Sequence, residues 1–247
     1  MSEPQARSTL GTCWRTVCAP LPLLAGALFA LGTVTTPAMS QIRGYKPSVR
    51  STSRWWLSGG TGAVTITDIQ DGATQSTWKF GSDPTWMWRG SIERSVVDEF
   101  TTFGVSASYG NASLIVSPLS GATGGVALPA SCSAGCSAQS QVYSLMGQFR
   151  SGGGRGFHTL LEASAGVMGV RNLRTSDSAA VAIGAASGTR DLSGTLGPGF
   201  GFGFSPGFGI ALVQDFGIGF HSKAFLPSGV SRTWRVRTTR ASVRLSF

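Results

Sequence analysis

From Arg54 to Phe247 the chain alternates between apolar and small or polar residues with a period of two, the signature of strands with two unlike faces. Eight such segments are predicted: 54–67, 85–96, 100–116, 140–151, 155–170, 194–205, 208–221 and 232–247. The sixth is the cleanest, with Leu196, Phe200, Phe202 and Phe204 set against Gly197, Gly199, Gly201 and Gly203. The seventh sets Phe208, Ile210, Leu212, Phe216, Ile218 and Phe220 against Gly209, Ala211, Val213, Asp215, Gly217 and Gly219; Gln214 interrupts its apolar face. In the last, Thr239, Ala241, Val243, Leu245 and Phe247 alternate with Arg240, Ser242, Arg244 and Ser246.

The non-apolar face decides which side is inside. A soluble sandwich would carry Lys and Glu on its outer face. Here that face is mostly Gly, Ser and Ala with few charges, which suits the crowded lumen of a narrow barrel, and the apolar face then meets lipid. Aromatic residues gather near strand ends, as at Trp55, Trp86, Phe103, Phe149, Phe157, Phe204 and Phe247, in the manner of interfacial belts. The connections alternate in length. Turns at 97–99, 152–154 and 206–207 are short; those at 68–84, 117–139, 171–193 and 222–231 are longer. That is the rhythm of a barrel with short periplasmic turns and long extracellular loops. Trp234 and Val236 fall on the lumen side of the last strand. Either its upper part extends past the membrane or a bulge near Thr238 resets the register.

The first 40 residues read as a cleavable signal peptide. Arg7 and Arg15 precede an apolar stretch from Leu21 to Leu31, too short to span a bilayer, and Ala38-Met39-Ser40 supplies small residues for cleavage before Gln41. Residues 41–53 form a basic periplasmic lead-in, and 54–247 the barrel. After the leader no apolar run is long enough for a membrane helix.

Composition changes the picture in two places. The net charge is +9, from 20 basic and 11 acidic residues. The excess is arginine scattered singly along strands, which argues for a lumen or anionic head groups over a nucleic-acid patch. Cys132 and Cys136 lie in a Ser/Ala/Gly-rich loop without further ligands for zinc; a small disulfide is expected, with two unrelated thiols as the alternative.

Taken together, the signal peptide, the eight strands, the Gly/Phe-rich hairpins and the terminal Phe247 resemble the bacterial outer-membrane β-barrel superfamily. The likeness is to its small eight-stranded type, similar to the outer membrane protein A transmembrane domain and outer membrane protein X. The resemblance covers essentially the whole mature chain. It implies that Ala241, Val243, Leu245 and Phe247 form the signal read by the barrel insertion machinery. It also implies a probe for chemistry: His221-Ser222 falls where lipid A-modifying barrels place a His and a Ser. Those two residues are adjacent here, whereas the deacylase type has His-x-Ser, so no catalytic residue is assigned.

The expected architecture is therefore all-β: a single eight-stranded antiparallel transmembrane up-and-down barrel in the outer membrane of a two-membrane bacterium. In so narrow a lumen charges must pair, because an unpaired buried charge costs several kcal/mol. The expected network comprises Arg89, Glu93, Arg150, Glu162, Asp215, Arg240 and Arg244, with Glu162 and Asp215 compensating Arg240 and Arg244. No metal or other cofactor is expected. The expected partners are outer-membrane lipids, the insertion machinery and an extracellular partner, on a monomeric protein with a structural or adhesin-like role. A small passive channel and a lipid A-modifying enzyme are the alternatives.

Overall fold

A computed structural model describes residues 54–247, apart from residues 82, 97, 122–123 and 185–187. The leader and lead-in read from the sequence lie outside the described residues. Ten strands are formed among the described residues: β1 (Trp55–Ile66), β2 (Ile69–Asp71), β3 (Ser76–Phe80), β4 (Thr85–Ser95), β5 (Thr102–Pro118), β6 (Cys136–Ser151), β7 (Gly156–Thr175), β8 (Thr189–Ser205), β9 (Phe208–Phe220) and β10 (Thr233–Ser246). Eight of them close an antiparallel barrel, with β1 paired to β4 on one side and to β10 on the other. This is an up-and-down barrel with an apolar outside, the arrangement of transmembrane β-barrels.

The pairing is staggered. Thr61 leads through Trp88, Tyr109, Tyr143 and Gly169 to Arg190 on β8. In the other direction it leads through Ala241 and Leu212 to Phe200, ten residues further along the same strand. Strand number and stagger together set the tilt and a bore that side chains can fill.

Alternation of burial follows the sequence pattern. Trp86, Trp88, Phe103, Leu145, Phe157, Phe200, Leu212 and Phe216 stand exposed on the outside, while Glu93, Gln148, Glu162, Asp215 and Arg240 are buried within. Gln214, the polar residue on an apolar face, has its amide satisfied locally. It donates to the Thr238 carbonyl at 2.9 Å and accepts from the Thr239 hydroxyl at 2.6 Å. The turn between β6 and β7 uses Gly152 and Gly154 at φ +104° and +126°, a backbone that L side chains rarely adopt.

Three expectations need correction. The stretch 68–84 is a hairpin, β2–β3, as well as a connection; β3 pairs with the upper part of β5, from Ser76 with Pro118 to Phe80 with Leu114. Its short strands sit among turn residues, so their period was masked. Secondly, β7 runs on to Thr175 and β8 starts at Thr189, so the connection between them is shorter than 171–193 and the wall there is taller. Thirdly, β10 keeps one register with β9 and β1 through Thr238, with no bulge. Trp234 and Val236 face the lumen because its loop end is apolar.

Candidate functional site

The lumen is the best-defined constellation of charge in the molecule, and it is layered. Nearest the short turns, Arg244 donates to Glu93 at 2.7 Å and to Thr102 at 2.9 Å, with its guanidinium stacked 4.1 Å from the Trp56 ring. Glu93 also accepts from Ser91 at 2.8 Å and Thr102 at 2.5 Å. One layer up, Arg240 donates through Nε to Asp215 at 2.6 Å and through its terminal Nη2 to Glu162. Arg150 approaches the second oxygen of Glu162 at 3.2 Å. Gln148 links the layers, donating to Glu162 at 3.2 Å and to Glu93 at 3.4 Å and accepting from Arg89 at 2.7 Å.

The seven residues named from the sequence thus lie together in the lumen, with one change of partner. Arg244 meets Glu93 and not Asp215 or Glu162. The register explains it: Arg244 stands opposite Gly209 on β9, well below Asp215, while Ser58 on β1 brings it level with Ser91 and next to Glu93 on β4. Gln148, fully buried, was not singled out; its place on the lumen side of the fourth alternating segment is the signal that could have found it.

Interior glycines do not leave an open bore. A side chain from a neighbouring strand lies over each of three: Asp215 over Gly197, His158 over Gly201 and Trp234 over Gly219. His158 is held near the short-turn end, its Nδ1 3.0 Å from the Gly156 carbonyl. Next to the Arg240 layer is a cavity of about 50 Å³, lined by Arg89, Asp215 and Arg240 as well as by Met87, Met146 and Met168. Higher still, Val64, Ile66, Val142, Val170, Trp234 and Val236 pack as a hydrophobic core that continues toward the loop end through Ile69, Trp78, Leu114, Val116, Leu173 and Ile183.

Over that core sits a second polar cluster, beyond the last residue of β9. His221 is buried between two carboxylates, with Nδ1 2.9 Å from Asp191 and Nε2 3.2 Å from Asp71. Trp234 donates to Asp191 at 2.8 Å, and Thr74 to Asp71 at 2.7 Å. Burial alone pushes the His221 pKa down; hydrogen bonds donated to the Asp191 and Asp71 carboxylates, and the charge of those carboxylates, more than reverse this and raise it to about 9. Burial pushes Asp71 up, but His221 and Thr74 hold it below the usual carboxylate range. The cluster ties the β2–β3 hairpin to β8, β9 and β10. Ser222 is exposed and accepts instead from the Ala224 backbone at 3.2 Å.

Cys132 and Cys136 are joined by a disulfide at the foot of the 119–135 connection, where a short 3-10 turn (Ala130–Cys132) leads into β6. Ala241, Val243 and Leu245 stand on the outer face of β10, and Phe247, just past its last residue, is exposed. No group of three or more His, Cys, Asp or Glu side chains suited to a metal ion occurs among the described residues.

No protein-family model matches the chain, and no curated protein matches it. Solved structures to which it is similar include Neisserial surface protein A, at a TM-score of 0.48 and 12% identity, covering 78% of this chain and 97% of that one. The attachment invasion locus protein Ail of Yersinia pestis, in complex with the heparin analogue sucrose octasulfate, gives 0.37 and 14%, covering 79% and 99%. The outer membrane protein OprG of Pseudomonas aeruginosa gives 0.36 and 14%, covering 79% and 96%.

Proposed function

We propose that the chain is an outer-membrane barrel with a sealed lumen that acts through its loop end, as a structural or surface-interaction protein. The observation that carries this reading is the filled bore. Ion-paired layers, a small cavity and a hydrophobic core follow one another along its whole length. An apolar belt on the outside with charge inside is the inverse of a soluble protein, which rarely exposes contiguous apolar patches beyond a few hundred Å².

The loop end supports an interaction role because its connections are held in place. The β2–β3 hairpin is paired to β5, His221 anchors Asp71, and a disulfide closes the 132–136 turn. A surface ordered in advance loses less entropy on binding. Ile115, Val126 and Phe225 are exposed on it and offer apolar contacts. Catalysis by His221 and Ser222 is disfavoured: both ring nitrogens face carboxylates, and the serine hydroxyl is turned to its own loop.

Planar-bilayer recording of the purified protein tests the sealed lumen against the channel alternative. The expected trace has no resolvable conductance steps once insertion has been verified by a boiling-dependent shift in gel migration. Regular steps from verified barrels would overturn the reading.

A further inference from the structure

The outer face carries a shallow apolar furrow of about 480 Å³ that crosses β1, β10, β9 and β8 obliquely. Its ends are marked by Trp88 and Phe157, each 72% exposed, and Ala241 and Leu212 form part of its floor. Above it, along three of these strands, β1, β9 and β10, lies a second recess of about 270 Å³, lined by Thr65, Thr67, Phe216, Arg235 and Arg237. Both arginines are exposed on the outward side of β10. The Arg237 guanidinium lies 5.7 Å from the Phe216 ring, which leaves its N–H edges free to turn outward. The Arg235 backbone N–H donates to the Thr67 hydroxyl at 2.8 Å, which fixes this part of the rim. Among the described residues neither guanidinium has a carboxylate partner.

Resting on the outer-membrane reading above, we propose that this groove is a binding site for one phosphate-bearing lipid of the outer leaflet. Its head group sits on Arg235 and Arg237, and an acyl chain runs down into the furrow beside Ala241. The dimensions agree. Arg237 to Val243 is six residues, about 20 Å along the strand and about 15 Å of depth at a tilt of roughly 40°. That is one leaflet of a hydrocarbon core about 30 Å thick. The charges agree as well. Two guanidiniums at the edge of an apolar belt attract anionic head groups, and guanidinium forks match phosphate oxygens in pairs. A neutral acyl chain alone would use the furrow without the arginines, and free phosphate the arginines without the furrow.

The test is lipid retention, read by native mass spectrometry on the full-length protein extracted from phosphatidylcholine vesicles doped with bis-phosphorylated lipid A or with its dephosphorylated form. The expected result is one retained phosphorylated lipid per barrel and little of the dephosphorylated one. R235Q/R237Q should weaken retention roughly thirtyfold, about fivefold per arginine. Ala241→Phe, which fills the furrow and leaves the charge intact, should weaken it too, whereas Arg174→Gln outside the groove should not. Equal retention of both lipids, an unaffected double variant or an unaffected A241F would each overturn the proposal, as would displacement of the lipid by millimolar inorganic phosphate. Every variant is also checked for its boiling-dependent gel shift. If even the unaltered protein fails to shift or to enter vesicles, the outer-membrane reading itself fails; if it shifts and binds without regard to phosphate, only this inference does.

Discussion

Replacing Arg240 by Leu removes the cation at the centre of the lumen. Its partners then fare differently. Glu162 keeps Arg150 at 3.2 Å and the amide of Gln148 at 3.2 Å. Asp215 loses the guanidinium that held it at 2.6 Å, and no other ion pair to it is formed among the described residues. Its side chain is only 5% exposed, so bulk solvent does not reach it freely. Breaking a buried pair in this way costs about 3–5 kcal/mol, because one uncompensated charge stays behind. Adding Asp215→Asn removes that charge at nearly constant volume. The double variant should therefore recover more than half of the loss, and its coupling energy should exceed about 2 kcal/mol. Arg237→Leu, at the exposed rim, provides the scale for an unburied arginine and should change stability by about 0.5 kcal/mol or less. The assay is equilibrium urea unfolding in detergent micelles, followed by tryptophan fluorescence. If Arg240→Leu costs no more than Arg237→Leu, the lumen is wet enough to screen its charges and the sealed-bore argument is refuted.

The His221 anchor predicts a pH dependence confined to the loop end. Its folded pKa, about 9, lies above the ordinary 6.5, so its contribution of about 3 kcal/mol is complete below pH 6.5 and lost as pH rises through 9. Asp71 works in the opposite sense: its pKa is depressed, so its share is lost only in acid. Corrected for the roughly tenfold rise of intrinsic amide exchange per pH unit, the protection of the β2–β3 hairpin should thus fall between about pH 6.5 and 9 in the unaltered protein and be low and flat in His221→Gln; parallel protection profiles would show that the anchor is not responsible. Packing gives a second contrast. An added methyl at Gly219 would collide with the Trp234 ring and press it off Asp191, whereas one at Gly59 meets nothing within 4 Å. Gly219→Ala should cost about 1–3 kcal/mol and shift the tryptophan emission, and Gly59→Ala should do neither; equal effects would contradict the assigned faces.

Much of this was legible in the sequence because a strand with unlike faces repeats every two residues, and a closed barrel leaves no third environment. Parity alone put Glu93, Glu162, Asp215, Arg240 and Arg244 in the lumen and Phe200, Leu212 and Val243 outside. Parity does not report height. It could not show that Arg244 sits level with Glu93, since that depends on the stagger of eight strands summed around the barrel. Nor could it reveal that the loop end of the lumen is apolar. Trp234, Val236 and Met146 look like lipid-facing residues on the wrong side until the β2–β3 hairpin brings Ile69 and Trp78 over them. The union of Asp71, Asp191 and His221 was equally hidden, because its members are contributed by a hairpin that the pattern did not reveal, by β8 and by the residue just past β9, both far from the hairpin in sequence.

The assignment of faces, on which the closed, lipid-embedded barrel depends, is tested most directly by a cysteine scan along β9 in bilayers of brominated lipid, each site carrying a small thiol-linked fluorophore. The account predicts quenching that alternates along the strand: strong at 210, 212, 216 and 218, and weak at 211, 213, 215 and 217. Uniform quenching, or strong quenching at the odd positions, would contradict it.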